Sequence, residues 1–110
     1  MEPITIKPIL YVLELEHKKY YVGITYNLNL RYAQHMTGNG SKWTKLHKPI
    51  RIKKVIAEAN MDLERMVTIH YMKKFGYQNV RGSCYSKIIM NKPPKELRNE
   101  LSCLAINAQD

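Results

Sequence analysis

The segment YYVGITYNLNLRYAQH, residues 20–35, places a phenol (Tyr21), a guanidinium (Arg31) and an imidazole (His35) in a short span, and a second phenol, Tyr11, precedes them. Phenols and imidazoles donate and accept protons, while a guanidinium holds a fixed positive charge. Arg31 and His35 are four residues apart, so a helix would stack them on one face. YYVGIT reads as a strand and Asn27 as the N-cap of a helix over LNLRYAQHM; a strand feeding a helix converges such side chains on one point. Further along, Glu64 sits beside Met61, Leu63 and Val67 in another helical pattern, where a carboxylate is costly unless it is paired or bound to a cation. Taken singly, each has a plainer explanation: strand tyrosines pack, arginines form surface salt bridges, and a boundary glutamate pairs with lysine.

Charge narrows the partner. The 110-residue chain carries 18 Lys and Arg against 9 Asp and Glu, a formal net charge of +9, distributed along the sequence rather than gathered in a tail. This favours a polyanion, most simply nucleic acid, over a membrane surface or a merely soluble basic domain. The length suits one domain over residues 1–110, with a core that needs no disulfides. Cys84 and Cys103 are isolated, which argues against a disulfide scaffold or zinc knuckle and for a reducing, intracellular setting. MEPITIKPILYVLELE has no positive leader and no long apolar run, so neither signal peptide nor membrane span is expected. His17, His47 and His70 show no metal-ligand spacing.

The elements that must position these residues follow from pattern. ILYVLEL (9–15) and YYVGIT (20–25) are rich in β-formers and separated by the charged EHKK, which predicts an antiparallel hairpin. A turn centred on Glu16 would set Tyr11 directly opposite Tyr21. TGNGSKWTKLHKP, with two glycines, reads as a loop carrying Lys42, Trp43 and Lys45. IRIKKVIAEA reads as a third strand. Asn60 caps a helix over MDLERMVTIHYMKKF with Leu63, Met66, Val67, Ile69 and Phe75 as its apolar face, and Gly76 stops it. YQNVRGSCYSK reads as a loop, and Pro93 and Pro94 introduce a last helix over about 94–106. The expected order is β-β-α-β-α-loop-α: a small three-stranded antiparallel sheet flanked by helices, in the α/β or α+β class.

Together these spacings resemble the GIY-YIG nuclease family. The first signature appears as ILY with Tyr11, the second as YVG from Tyr21 to Gly23; Arg31 and His35 follow, then Glu64 on a later helix and Asn79 in NVRG. The resemblance covers about residues 9–85. Ile9-Leu10 stands where the family has Gly-Ile, and valine replaces isoleucine in YIG; neither change removes a chemical group. The resemblance implies hydrolysis of DNA phosphodiesters by water, with Glu64 the ligand of one divalent cation, Mg²⁺ or alternatively Mn²⁺. It makes Tyr21 the activator of the attacking water, with Arg31 on the scissile phosphate and Tyr11, His35 and Asn79 supporting. Gly23 would allow close approach of the helix or substrate to the strand, or mark a simple bulge; Lys42, Lys45 and Trp43 would grip the backbone or stack on a base, a lone loop tryptophan being as often a core plug; and Arg81 would contact phosphate. RNA is an open alternative substrate. Two other functions compete: a nucleic-acid-binding module that does not cleave, and a subunit whose C-terminal helix docks a protein partner or a second copy.

Overall fold

The computed structural model describes residues 6–97. Its centre is β1 (Ile9–Leu15), which pairs antiparallel with β2 (Lys19–Thr25) on one side and β3 (Pro49–Ile56) on the other. β1 is covered on both faces, which is why ILYVLEL is an almost unbroken apolar run rather than an alternating one. Leu10 and Val12 point into a cluster with Val22, Ile69, Tyr71 and Met72, while Tyr11, Leu13 and Leu15 point into a second cluster with Trp43. Each fully buried side chain of this kind contributes about 1.5–3 kcal/mol, so the strand is anchored from both sides.

Three helices supply the cover. α1 (Leu28–Met36) is capped by Asn27, whose side chain accepts from the Leu30 N–H at 3.1 Å. α2 (Lys42–Leu46) begins in a capping box between Ser41 and Thr44. α3 (Met61–Phe75), capped by Asn60, packs on β2 and on a short fourth strand, β4 (Val80–Gly82). β4 runs parallel to β2 and completes a four-stranded mixed sheet of order β3-β1-β2-β4. At the opposite edge, β3 begins with proline and exposes Arg51, Lys53 and Lys54, a composition that discourages edge-to-edge pairing.

The α+β class agrees with the sequence reading, and four details differ. The sheet has four strands, because three residues of NVRG are too few to show alternation and sit among turn formers. α2 occupies part of the segment read as loop; its single turn is specified by the Ser41/Thr44 box rather than by apolar periodicity. The hairpin turns through Glu16–Lys18, where His17 and Lys18 take positive φ, so Tyr11 pairs with Gly23 and Leu13 with Tyr21. That two-residue shift preserves side-chain parity, and the tyrosines stay on one face as diagonal neighbours. On α3, Met66 is 66% exposed, and Thr68, Tyr71 and Met72 join Ile69 in the buried face. Of the expected C-terminal helix, residues 95–97 are helical and the remainder lies outside the described residues. No helix among the described residues is long and apolar enough to cross a membrane.

Candidate active site

β1 and β2 present Tyr11 and Tyr21 side by side, with ring centroids 6.2 Å apart, and α1 lays His35 over both. The Tyr11 hydroxyl and His35 Nε2 are 2.8 Å apart. On the other side of the imidazole, Nδ1 lies 2.8 Å from Thr44 Oγ1. Thr44 Oγ1 is within donating distance of the Ser41 carbonyl at 3.3 Å. That network assigns the proton to Nδ1, donating to Thr44, and leaves Nε2 to accept from the Tyr11 O–H.

Two glycines make room for this arrangement. A Cβ on Gly23 would lie 2.4 Å from the Tyr11 hydroxyl oxygen, so the phenol occupies the space a side chain would fill. The close approach expected at Gly23 is therefore made by Tyr11 itself. A Cβ on Gly40 would lie 2.1 Å from His35 Nδ1. Gly40, Ser41 and Thr44 were not singled out from the sequence; the legible signal was the Ser-x-x-Thr capping spacing directly after a glycine.

Arg31 is half-buried one turn before His35 and donates to Gln34 Oε1 at 3.0 Å and to the Gly40 carbonyl at 3.4 Å. Burial pushes its pKa down, but hydrogen bonding and charge interaction with both phenols outweigh this, and the net direction is up. Burial raises the pKa of Tyr21, and the pull of Arg31 opposes it without reversing it. Tyr11 is likewise raised, by burial first and by Tyr21 second. Both phenols are therefore neutral in the free protein.

His35 is 1% exposed, and burial followed by the charge of Arg31 lowers its pKa to about 4. The folded protein thus binds this proton less readily than the unfolded chain, whose histidine titrates near ~6.5. The resulting stabilisation is complete above that unfolded value and is lost as pH falls toward 4. Stability should therefore drop by up to about 3 kcal/mol between pH 7 and 4 from this residue, and a His35→Asn variant should show a correspondingly shallower pH dependence in urea titrations. Equal slopes in the two proteins would contradict a buried neutral imidazole.

Glu64, in the first turn of α3, lies within electrostatic range of the two tyrosines. Its charge acts on both Tyr11 and Tyr21, and its nearest backbone partner is Ile24 at the end of β2. Burial raises its pKa, and the Ile24 backbone contact opposes this. The ion pairs among the described residues are Arg51 with Glu14 and Arg65 with Asp62, so Glu64 enters none of them. A half-buried carboxylate with no cationic partner among the described residues fits a site that takes a hard cation through one protein ligand and several waters. No group of three or more His, Cys, Asp or Glu side chains gathers around a metal position among the described residues.

Asn79 and Arg81 are placed differently from the sequence reading. Asn79 donates to the Phe75 carbonyl at 2.7 Å and accepts from Lys19 Nζ at 2.6 Å, closing the end of α3 rather than bonding to the tyrosine cluster. Of the two readings of Trp43, base platform or core plug, burial agrees with the plug: it is 3% exposed, donates to the Tyr20 carbonyl at 2.9 Å and lies against Arg81. Arg81 was expected on phosphate; its side chain is buried and donates to the carbonyls of Tyr77, Val80, Lys87 and Ile88. The Arg81 guanidinium lies over the Trp43 indole, its Cζ 4.4 Å from the ring centroid, so the two flat groups cover each other. Lys42 and Lys45 are exposed, as a backbone-gripping role requires.

A family model described as the GIY-YIG catalytic domain matches residues 7–92. The chain belongs to the GIY-YIG family. The domain is of nuclease type, and Tyr11 and Tyr21, the tyrosines whose spacing resembles the family signature, are the pair that β1 and β2 set side by side. Among curated proteins, the chain is 44% identical over 43 residues to a UPF0213 protein of Cupriavidus necator, covering 39% of this chain and 47% of that protein. It is 37% identical over 46 residues to a UPF0213 protein of Streptococcus pneumoniae, covering 42% and 46%. It is 32% identical over 65 residues to the UPF0213 protein YazA of Bacillus subtilis, covering 58% and 64%. The chain thus spans about half the length of the first two of these relatives. No solved structure gives a significant match.

Proposed function

We propose that this GIY-YIG domain is a divalent-metal-dependent endonuclease that hydrolyses phosphodiester bonds in DNA. The observation that carries the reading is a half-buried carboxylate, Glu64, with no ion pair among the described residues, within electrostatic range of two neutral phenols that also interact with the Arg31 guanidinium. Glu64 would hold the cation, Mg²⁺ or Mn²⁺, which when bound polarises a phosphate oxygen and stabilises the leaving oxygen. Arg31 binds the scissile phosphate, for which its forked donors suit two oxygens at once. Tyr21 hydrogen-bonds and orients the attacking water; it takes the water's proton only as a phenolate, formed by release of its own proton to solvent, a release that the charge of Arg31 favours and burial opposes. Tyr11 is held by His35 Nε2, so its hydroxyl proton is directed away from the water and its oxygen lone pairs face the reaction side. Lys42 and Lys45 add charge for the DNA backbone. Asn79 supports the site indirectly, through the end of α3.

The test is cleavage of labelled DNA and labelled RNA with Mg²⁺, with Mn²⁺ and with chelator. Metal-dependent cuts in DNA support the reading; binding without cutting under every condition would favour the module that does not cleave, and cutting of RNA alone would move the substrate. Affinity should fall steeply with salt, because lysines and arginines displace condensed counterions, and a flat response would remove nucleic acid as the partner. Arg31→Ala should lower kcat by about 10²–10³-fold with a much smaller loss of affinity, since its charge acts most where charge develops. Parallel losses in single-turnover rate and affinity would reduce Arg31 to a binding residue.

A further inference from the structure

Beside the tyrosine cluster, between α2 and the segment that follows β4, lies a cleft of about 520 Å³ that has Tyr21 as one of its walls. Its volume falls in the range of small-molecule sites, ~300–1,000 Å³. None of its lining residues is acidic. Lys42 and Lys87 stand exposed on its walls, and the buried Arg81 guanidinium, bonded only to carbonyls, adds a positive charge that no carboxylate among the described residues pairs. Hydroxyls are supplied by Ser41, Ser83 and Ser86. Tyr85 offers an aromatic wall, its ring held by a 2.8 Å hydrogen bond from its hydroxyl to Glu96.

Positive charge, hydroxyls and an aromatic ring in one hole are the recognition groups for a phosphate, a sugar and a base together. An intact duplex presents a convex rod whose bases are stacked inside, and it cannot fill such a hole; a nucleotide that has left the stack can. Because Tyr21 belongs both to the cleft and to the cluster that would activate water, the occupant adjoins the scissile phosphate. We infer that the cleft receives one unpaired nucleotide of the substrate strand next to the cut. The preferred substrate is then DNA with a single-stranded, branched or extruded nucleotide at that position, not uninterrupted duplex. The inference rests on the nuclease reading for its position in the reaction, and on the cleft alone for the binding.

Trp43 lines this cleft and is the only tryptophan in the chain, so its fluorescence reports entry without any cleavage. Titration with deoxyadenosine monophosphate should give a saturable change, and deoxyadenosine or inorganic phosphate alone should bind at least about tenfold more weakly. Lys87→Ala, at an exposed position, should weaken the monophosphate by several-fold and leave the fluorescence of the free protein unchanged. In cleavage, a duplex with one unpaired nucleotide at the cut should be hydrolysed at least about tenfold faster in kcat/KM than its fully paired counterpart. A fluorescence response without cleavage of any DNA would support the nucleotide site and overturn the nuclease reading. Cleavage of both DNAs at equal rates, or a response that Lys87→Ala leaves unchanged, would overturn the cleft assignment and leave the nuclease reading standing.

Discussion

Gly23→Ala should cost most of the cleavage activity while the protein remains folded. The added methyl would lie 2.4 Å from the Tyr11 hydroxyl oxygen and 2.5 Å from Cζ, well inside van der Waals contact. Tyr11 cannot yield cheaply: it is 1% exposed, packed beside Leu13 and Leu15, and bonded to His35 Nε2. Either the phenol shifts and releases the imidazole, or β1 and β2 separate at their Tyr11–Gly23 pair. Overpacking of this kind costs about 1–3 kcal/mol, which an ordinary domain stability tolerates. Displacing an aligned group by about 1 Å can cost 10²-fold in rate, so the loss should appear in kcat far more than in the denaturation midpoint. Turnover within about threefold of the unaltered protein would mean that the position of Tyr11 does not matter to the chemistry.

What could be read from the sequence divides along the range of the interaction. Tyr11, Tyr21, Arg31 and His35 were legible because each lies on a strand or helix whose period alone fixes the direction of its side chain, and the elements are consecutive. Parity rescued the tyrosine pair even though the turn was misplaced, since a shift of two residues changes partners but not faces. Thr44 and Gly40, which fix the orientation of His35, were not legible, because a one-turn helix and a glycine contact have no periodic signature. β4 was hidden for a related reason: three residues pair with β2 only because α3 returns the chain there. Trp43 stayed open between two readings and Arg81 was placed on phosphate because composition puts tryptophan and arginine in a loop equally well as a gripping surface or as a buried stack. Only the surrounding backbone carbonyls, supplied by residues 77–88, decide between these. Glu64 was legible as a carboxylate out of place on a half-buried helical turn, and the structure sharpens the point by giving it no cationic partner among the described residues.

Glu64→Gln should therefore remove metal-dependent cleavage almost completely, by about 10²-fold or more, without unfolding the protein. Glutamine keeps the shape of the side chain and one acceptor oxygen for the Ile24 backbone contact, but it lacks the charge a hard cation needs. The carboxylate's raised pKa means that the folded state disfavours its ionised form relative to water, so neutralising it should hold or slightly raise stability in the absence of metal. This contrasts with a carboxylate whose purpose is a structural ion pair, where the same change leaves a buried cation stranded and destabilises. DNA affinity measured with chelator should also hold or rise, because a negative charge beside the phosphate has gone. Calorimetric Mg²⁺ binding in the presence of DNA should disappear. Three readings thus move in different directions from one substitution: turnover falls, metal binding falls, and metal-free stability and DNA affinity do not. Near-normal Mg²⁺-dependent turnover in Glu64→Gln would sink the metal assignment, while a large loss of metal-free stability would make Glu64 a structural residue and leave the cation to be held elsewhere.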